Sequence, residues 1–198
     1  MKSTNLLTII LLLVSISGIS QELTISAGPS WGVPMYYQVV SGGASYAPLT
    51  GVNANVTYVF QSDKKLSWGI STGYQKNNVE TTPEFTGEVD ERTPFSENCD
   101  ILYVSPKMLF LKREKSNFSF NLLMSLQLNT VDNTSISEQT GMGLGISYVQ
   151  KFKIGEKSYL ILEPIISVFN IVPFKGFDMT QRMTSIGLNI GMGTKLSK

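Results

Sequence analysis

The chain has 198 residues, with 16 Lys and Arg against 15 Asp and Glu, a formal net charge of +1, one cysteine and no histidine. That length suits one domain; the balanced charge argues against nucleic acid as a partner; and a single cysteine, Cys99, excludes an internal disulfide or a cysteine metal cluster. Charged residues make up only 16% of the chain, against roughly 25% in ordinary soluble proteins, so something other than a charged, water-facing surface must cover much of it.

In chain order, the first twenty residues, "MKSTNLLTIILLLVSISGIS", have a basic start, an apolar run from Leu6 to Val14 and small residues Gly18 and Ser20 before Gln21. This is the pattern of a cleavable export signal, too short in its apolar run to span a bilayer as a helix. The mature chain is expected to begin near Gln21, so the division is 1–20 signal peptide and 21–198 barrel domain. Period-two alternation then marks eight candidate strands at 22–34, 51–61, 66–77, 100–111, 117–129, 140–152, 158–169 and 184–196. In the second, Val52, Ala54, Val56, Tyr58 and Phe60 share one face, with Asn53, Asn55 and Thr57 on the other. The fifth sets Phe118, Phe120, Leu122, Met124, Leu126 and Leu128 against Ser119, Asn121, Ser125 and Gln127. The fourth is irregular, because Ile101, Tyr103, Leu109 and Leu111 occupy its otherwise polar face.

The connections alternate short and long. "SDKK", "KREKS" and "KIGEK" are compact enough for hairpin turns, whereas 35–50, 78–99, 130–139 and 170–183 are long. With eight strands, all short turns and both termini fall at one end and all long loops at the other, the layout of an up-and-down bacterial outer-membrane barrel. The less apolar faces carry Gly, Ser, Thr and Asn rather than Lys and Glu, and ten of the seventeen glycines lie on them. Small side chains suit the crowded inside of an eight-stranded closure, so the polar face should point inward and the apolar face toward lipid. Phe60, Trp68, Phe110, Phe118, Phe120, Tyr148 and Phe152 gather near the short-turn end, as an aromatic girdle at a periplasmic membrane interface would.

The expected class is therefore all-β, an eight-stranded antiparallel up-and-down transmembrane β-barrel. Gln21–Lys198 resembles the eight-stranded outer-membrane barrels of the OmpA/OmpX-like group and the "outer membrane protein β-barrel domain" family, including their glycine-alternating strands at 141–145 and 187–193. The resemblance implies residence in the outer membrane of a Gram-negative-type cell, with membrane lipid and, through the loops, envelope or surface proteins as partners. Family members usually end on an aromatic residue in an alternating strand; this chain ends "TKLSK". Enzymatic barrels of similar size rely on histidine-assisted chemistry, so the resemblance implies a non-enzymatic protein here. No catalytic residue, cofactor or metal site is expected.

Three groups of residues are candidates for a role. Lys107 and Glu163, charges near mid-strand on inward faces, should pair across the lumen, because an isolated buried charge costs several kcal/mol. Lys151, Lys195 and Glu22 fall nearer strand ends, where water is expected to reach them. The second long loop is acidic, with Glu80, Glu84, Glu88, Asp90, Glu91, Glu97 and Asp100, and is expected to carry solvated charge on the extracellular side. A surface or structural role through the long loops is the first reading. Two alternatives stand beside it: a narrow passage for ions or small hydrophobic molecules through an incompletely filled lumen, and a secreted lipocalin-like binder whose apolar face lines a ligand cavity.

Overall fold

The computed structural model describes residues 21–35, 45–60, 62, 64–83, 93–113, 115–129, 138–174 and 182–196. Eight strands run in chain order, β1 (Glu22–Met35), β2 (Ser45–Phe60), β3 (Ser67–Thr82), β4 (Phe95–Phe110), β5 (Ser116–Asn129), β6 (Gln139–Lys153), β7 (Ser158–Pro173) and β8 (Arg182–Lys195). Each pairs antiparallel with the next, and β1 pairs with β8, which closes the barrel. The expected signal segment, 1–20, lies outside the described residues.

The two faces point as their chemistry requires. Ser26, Asn53, Asn55, Thr57, Gln75, Asn121 and Asn189 are buried, while Ile25, Val52, Ile70, Ile146, Ile186 and Ile190 are exposed, Ile190 to 63%. An exposed belt of large apolar side chains around a buried polar interior reverses the soluble arrangement. It also argues against the lipocalin-like alternative, since among the described residues the apolar face points outward and lines no enclosed cavity. In β4, Ile101, Tyr103 and Leu109 do point inward, and Leu111 has left the strand with a left-handed φ of 47°.

Several strands outrun their expected limits at the long-loop end. β2 begins at Ser45 instead of 51, β3 reaches Thr82, β4 begins at Phe95 and β7 continues to Pro173. Segments read as loop, 45–50, 78–82, 95–99 and 170–173, are thus paired strand. The physical reason is that alternation fades where a hairpin projects beyond the apolar belt, because both faces can then be polar while the ladder persists.

Two irregularities shape the wall. The β2–β3 register shifts between Leu49 and Val52, where a Cβ on Gly51 would lie 2.0 Å from the Lys76 carbonyl oxygen. In β7, Asn170 takes a φ of 57° opposite Gly143, where the β6–β7 register shifts. The resulting β-bulge turns two consecutive side chains, Phe169 and Asn170, into the interior.

Candidate functional site

The interior is built in levels. At the short-turn end Lys151 of β6 reaches across to Glu22 of β1, an ion pair whose ammonium also lies 4.7 Å from the Tyr159 ring centroid. Glu22 is only 2% exposed, which corrects the expectation that strand-end position keeps it wet; Lys195 is exposed as expected. At mid-height Lys107 Nζ donates to Glu163 Oε1 at 2.8 Å, and the same oxygen accepts the Ser147 hydroxyl at 2.7 Å. Ser119 lies 2.7 Å from Ser147 and extends the chain to β5. Four strands, β4, β7, β6 and β5, are thereby joined across the lumen. Both charges are nearly water-free, Lys107 at 4% and Glu163 at 2% exposure, so the pairing and the added hydroxyl offset a desolvation cost that neither ion could bear alone.

Between these two ion pairs lies a cavity of about 20 Å³, lined by residues including Thr57, Leu109, Asn117 and Val149. That is room for about one water molecule. Toward the long-loop end the lumen is filled by an apolar cluster of Val79, Cys99, Ile101, Tyr103, Leu123, Phe169 and Met183, with Tyr46 packed against it. Beside it, Asn53 donates to Gln75 at 3.1 Å and Gln75 to Asn77 at 2.7 Å. Asn170 receives Ser125 at 3.0 Å and donates to Gln127 at 2.9 Å, so the residue inserted by the bulge is held on both sides.

This plug is the main feature that period-two reading misses. Leu123 interrupts the alternation of β5, and Val79, Cys99 and Met183 fall in stretches read as loop. The available signal was apolar residues on an otherwise polar face at 101, 103 and 123.

Outside, Phe60, Trp68, Phe110, Phe118, Phe120, Tyr148 and Phe152 occupy outward positions near the short turns. Phe60 and Trp68 are register partners. Phe110 stacks on Phe118 at 6.2 Å between centroids, and Phe118 meets Tyr148 at 5.0 Å, a ladder across β4, β5 and β6. A second set, not anticipated from the sequence, lies higher: Trp31 donates from Nε1 to Thr50 at 3.2 Å, and the Tyr74 hydroxyl to Asp100 at 2.9 Å. From Phe110 to Leu102 the outward face of β4 is apolar, which spans roughly 21 Å at ~3.4 Å per step and a tilt of ~40°.

Beyond that belt β3 and β4 continue as a paired ribbon with Asn78, Glu80, Asn98 and Ser96 on its outer side, rising roughly 18 Å further from Leu102 to Phe95 by the same geometry. The acidic group divides accordingly. Glu80, Glu97 and Asp100 are strand residues, not loop residues: Asp100 accepts Tyr74 on the outer surface, while Glu97 is buried on the inner side, opposite Val79 in register. Glu84, Glu88, Asp90 and Glu91 lie outside the described residues.

No protein-family model and no curated protein matches the chain. Solved structures do. The chain is similar to Neisserial surface protein A, at 12% identity and a TM-score of 0.53, over 89% of this chain and 97% of that one. It is similar to the outer membrane protein OprG from Pseudomonas aeruginosa, at 9% identity and a TM-score of 0.54, over 91% and 98%. The outer membrane protein AlkL, solved in lipid bilayers, matches at 11% identity and a TM-score of 0.50, over 91% and 92%. The shared feature is the fold, and the fold class is that of the eight-stranded transmembrane β-barrels.

Proposed function

We propose that the protein resides in the outer membrane of a Gram-negative-type cell, exported by residues 1–20, with its short turns in the periplasm and its long-loop end outside. It acts without enzymatic chemistry, as a structural or surface-interaction protein. The projecting wall of β2, β3 and β4, together with the acidic segment 84–92, meets envelope or surface partners. The observation that carries this reading is the filled lumen: with Phe169, Met183, Ile101 and Leu123 packed across it, contact with the outside world is left to the surface. The same packing argues against the passage for ions or small hydrophobic molecules, because the cavity beside Lys107 and Glu163 holds about one water.

Site-specific photo-crosslinking on intact cells tests this. A photoreactive residue at Asn98, on the projecting wall, is expected to give protein adducts, whereas one at Leu122, in the apolar belt, is expected to label lipid. Protein adducts at Leu122 with none at Asn98 would overturn the assignment of the wall as the interaction surface.

A further inference from the structure

Charge is sorted between the two ends of the barrel. Ten of the sixteen bases belong to the short-turn end, against four acids there, Glu22, Asp63, Glu114 and Glu156. Glu22 is already consumed by its pairing with Lys151. The exposed cations are spread over every short connection: Lys64 and Lys65 after β2, Arg113 and Lys115 after β4, Lys153 and Lys157 around the β6–β7 turn, and Lys195 at the end of β8. Among the described residues none of these seven takes part in a salt bridge.

Backbone bonds tie the segments that carry them to one another. The Lys151 amide donates to the Lys115 carbonyl at 2.7 Å, and the Lys195 amide to the Lys157 carbonyl at 2.9 Å. Lys112 ties the β4–β5 turn to the β2–β3 turn, donating to the Ser62 carbonyl and, at 3.0 Å, to the Ser67 hydroxyl. The result is a rim of positive charge following the circumference, directly below the outward aromatics; Phe152 and Lys153 are adjacent in β6.

We propose that this rim binds the phosphate groups of anionic glycerophospholipids in the leaflet around the short-turn end. The proposal rests on the membrane reading above. A protein partner would be matched by a patch on one side, whereas a ring that follows the perimeter just beyond an apolar belt matches the headgroup layer of a surrounding bilayer. Long lysine stems can lie along the aromatic level while the ammonium reaches the phosphates. Such attraction acts within a Debye length, so it is sensitive to salt.

The test uses the full chain folded into phosphatidylcholine vesicles carrying a trace of spin-labelled phosphatidylglycerol or spin-labelled phosphatidylcholine, with the immobilised fraction of each measured. At low salt the labelled phosphatidylglycerol should be favoured roughly threefold or more, and the preference should fall toward unity near about 1 M NaCl. Combined Lys64→Gln, Lys65→Gln, Lys115→Gln, Lys153→Gln and Lys157→Gln should abolish the preference, and the same five positions changed to Arg should retain it. Equal association of the two lipids with the unaltered protein, or a preference that survives the Gln changes or high salt, overturns the proposal. If the Gln variant fails to insert, the salt titration and the Arg variant decide. Insertion without lipid preference defeats this proposal alone; failure of the unaltered chain to insert in any vesicle defeats the membrane reading and this proposal with it.

Discussion

Tyr159 lies across the backbone of Gly193, its register partner on the neighbouring strand: a Cβ built on Gly193 would stand 2.2 Å from the ring. Tyr103 and Gly73 are related in the same way, at 2.4 Å. An inward tyrosine needs a bare strand beside it in a barrel this narrow, so each glycine is the space its partner's ring fills. Gly193→Ala and Gly73→Ala should therefore each destabilise the folded barrel by about 1–3 kcal/mol through overpacking. Urea unfolding of the vesicle-embedded protein measures this. Trimming the facing ring, by Tyr159→Leu or Tyr103→Leu in the same chain, should recover part of the loss; simple additivity would contradict the relationship.

The Lys107–Glu163 pair joins strands that are not neighbours in the sheet, so its loss leaves a buried charge with no local substitute. Lys107→Met alone should cost about 3–5 kcal/mol, as should Glu163→Leu alone. The double variant should lose clearly less than the sum, because neither charge is then left unpaired. A double-mutant cycle in denaturant gives the coupling directly; a coupling near zero would place the pair outside the barrel's stabilising interactions.

Sealing of the lumen makes an electrical prediction. The unaltered protein in a planar bilayer should show no discrete conductance steps. Phe169→Ala combined with Met183→Ala removes the two buried side chains contributed to the plug by β7 and β8. This variant should be less stable, with the Phe169 truncation alone costing about 3–5 kcal/mol, and where it folds it should admit small ions. Steady conductance through the unaltered barrel would show that the plug moves aside.

The strand number, the facing of each strand and the end-to-end layout were legible in the sequence because a membrane barrel writes a strict contrast between its faces. Ser119, Asn121, Ser125 and Gln127 against Phe118, Phe120, Leu122 and Met124 is such a stretch. Legibility failed where that contrast is relaxed. Above the belt, Asn78, Glu80, Asn98 and Ser96 face water while Asn77, Val79, Glu97 and Cys99 face the interior, so polarity no longer marks the strand. The β7 bulge broke the period itself: Phe169 and Asn170 both point inward, and only an Asn, a residue that tolerates positive φ, hinted at the turn in the backbone. The pairing of Glu22 with Lys151 spans 129 positions and depends on barrel closure, which no local pattern encodes.

The apolar belt sets a sharp difference between neighbouring positions. Leu122→Lys and Met124→Lys, on the outward face of β5, should each cost about 2–4 kcal/mol if they lie near mid-bilayer, and less toward the interfaces. Leu128→Lys, two turns of alternation closer to the long-loop end, should be milder. Fraction folded into vesicles, read by protease protection, ranks the three; equal tolerance at all positions would argue against lipid contact.

In a membrane the exposed apolar belt should meet lipid. The test is to express the full chain, residues 1–20 included, isolate membranes, wash them with alkaline carbonate, and compare gel mobility with and without boiling. The protein should stay in the washed outer-membrane fraction and migrate differently before and after boiling, as a barrel that resists detergent until heated. A fully soluble protein, with one mobility regardless of heating, would contradict it.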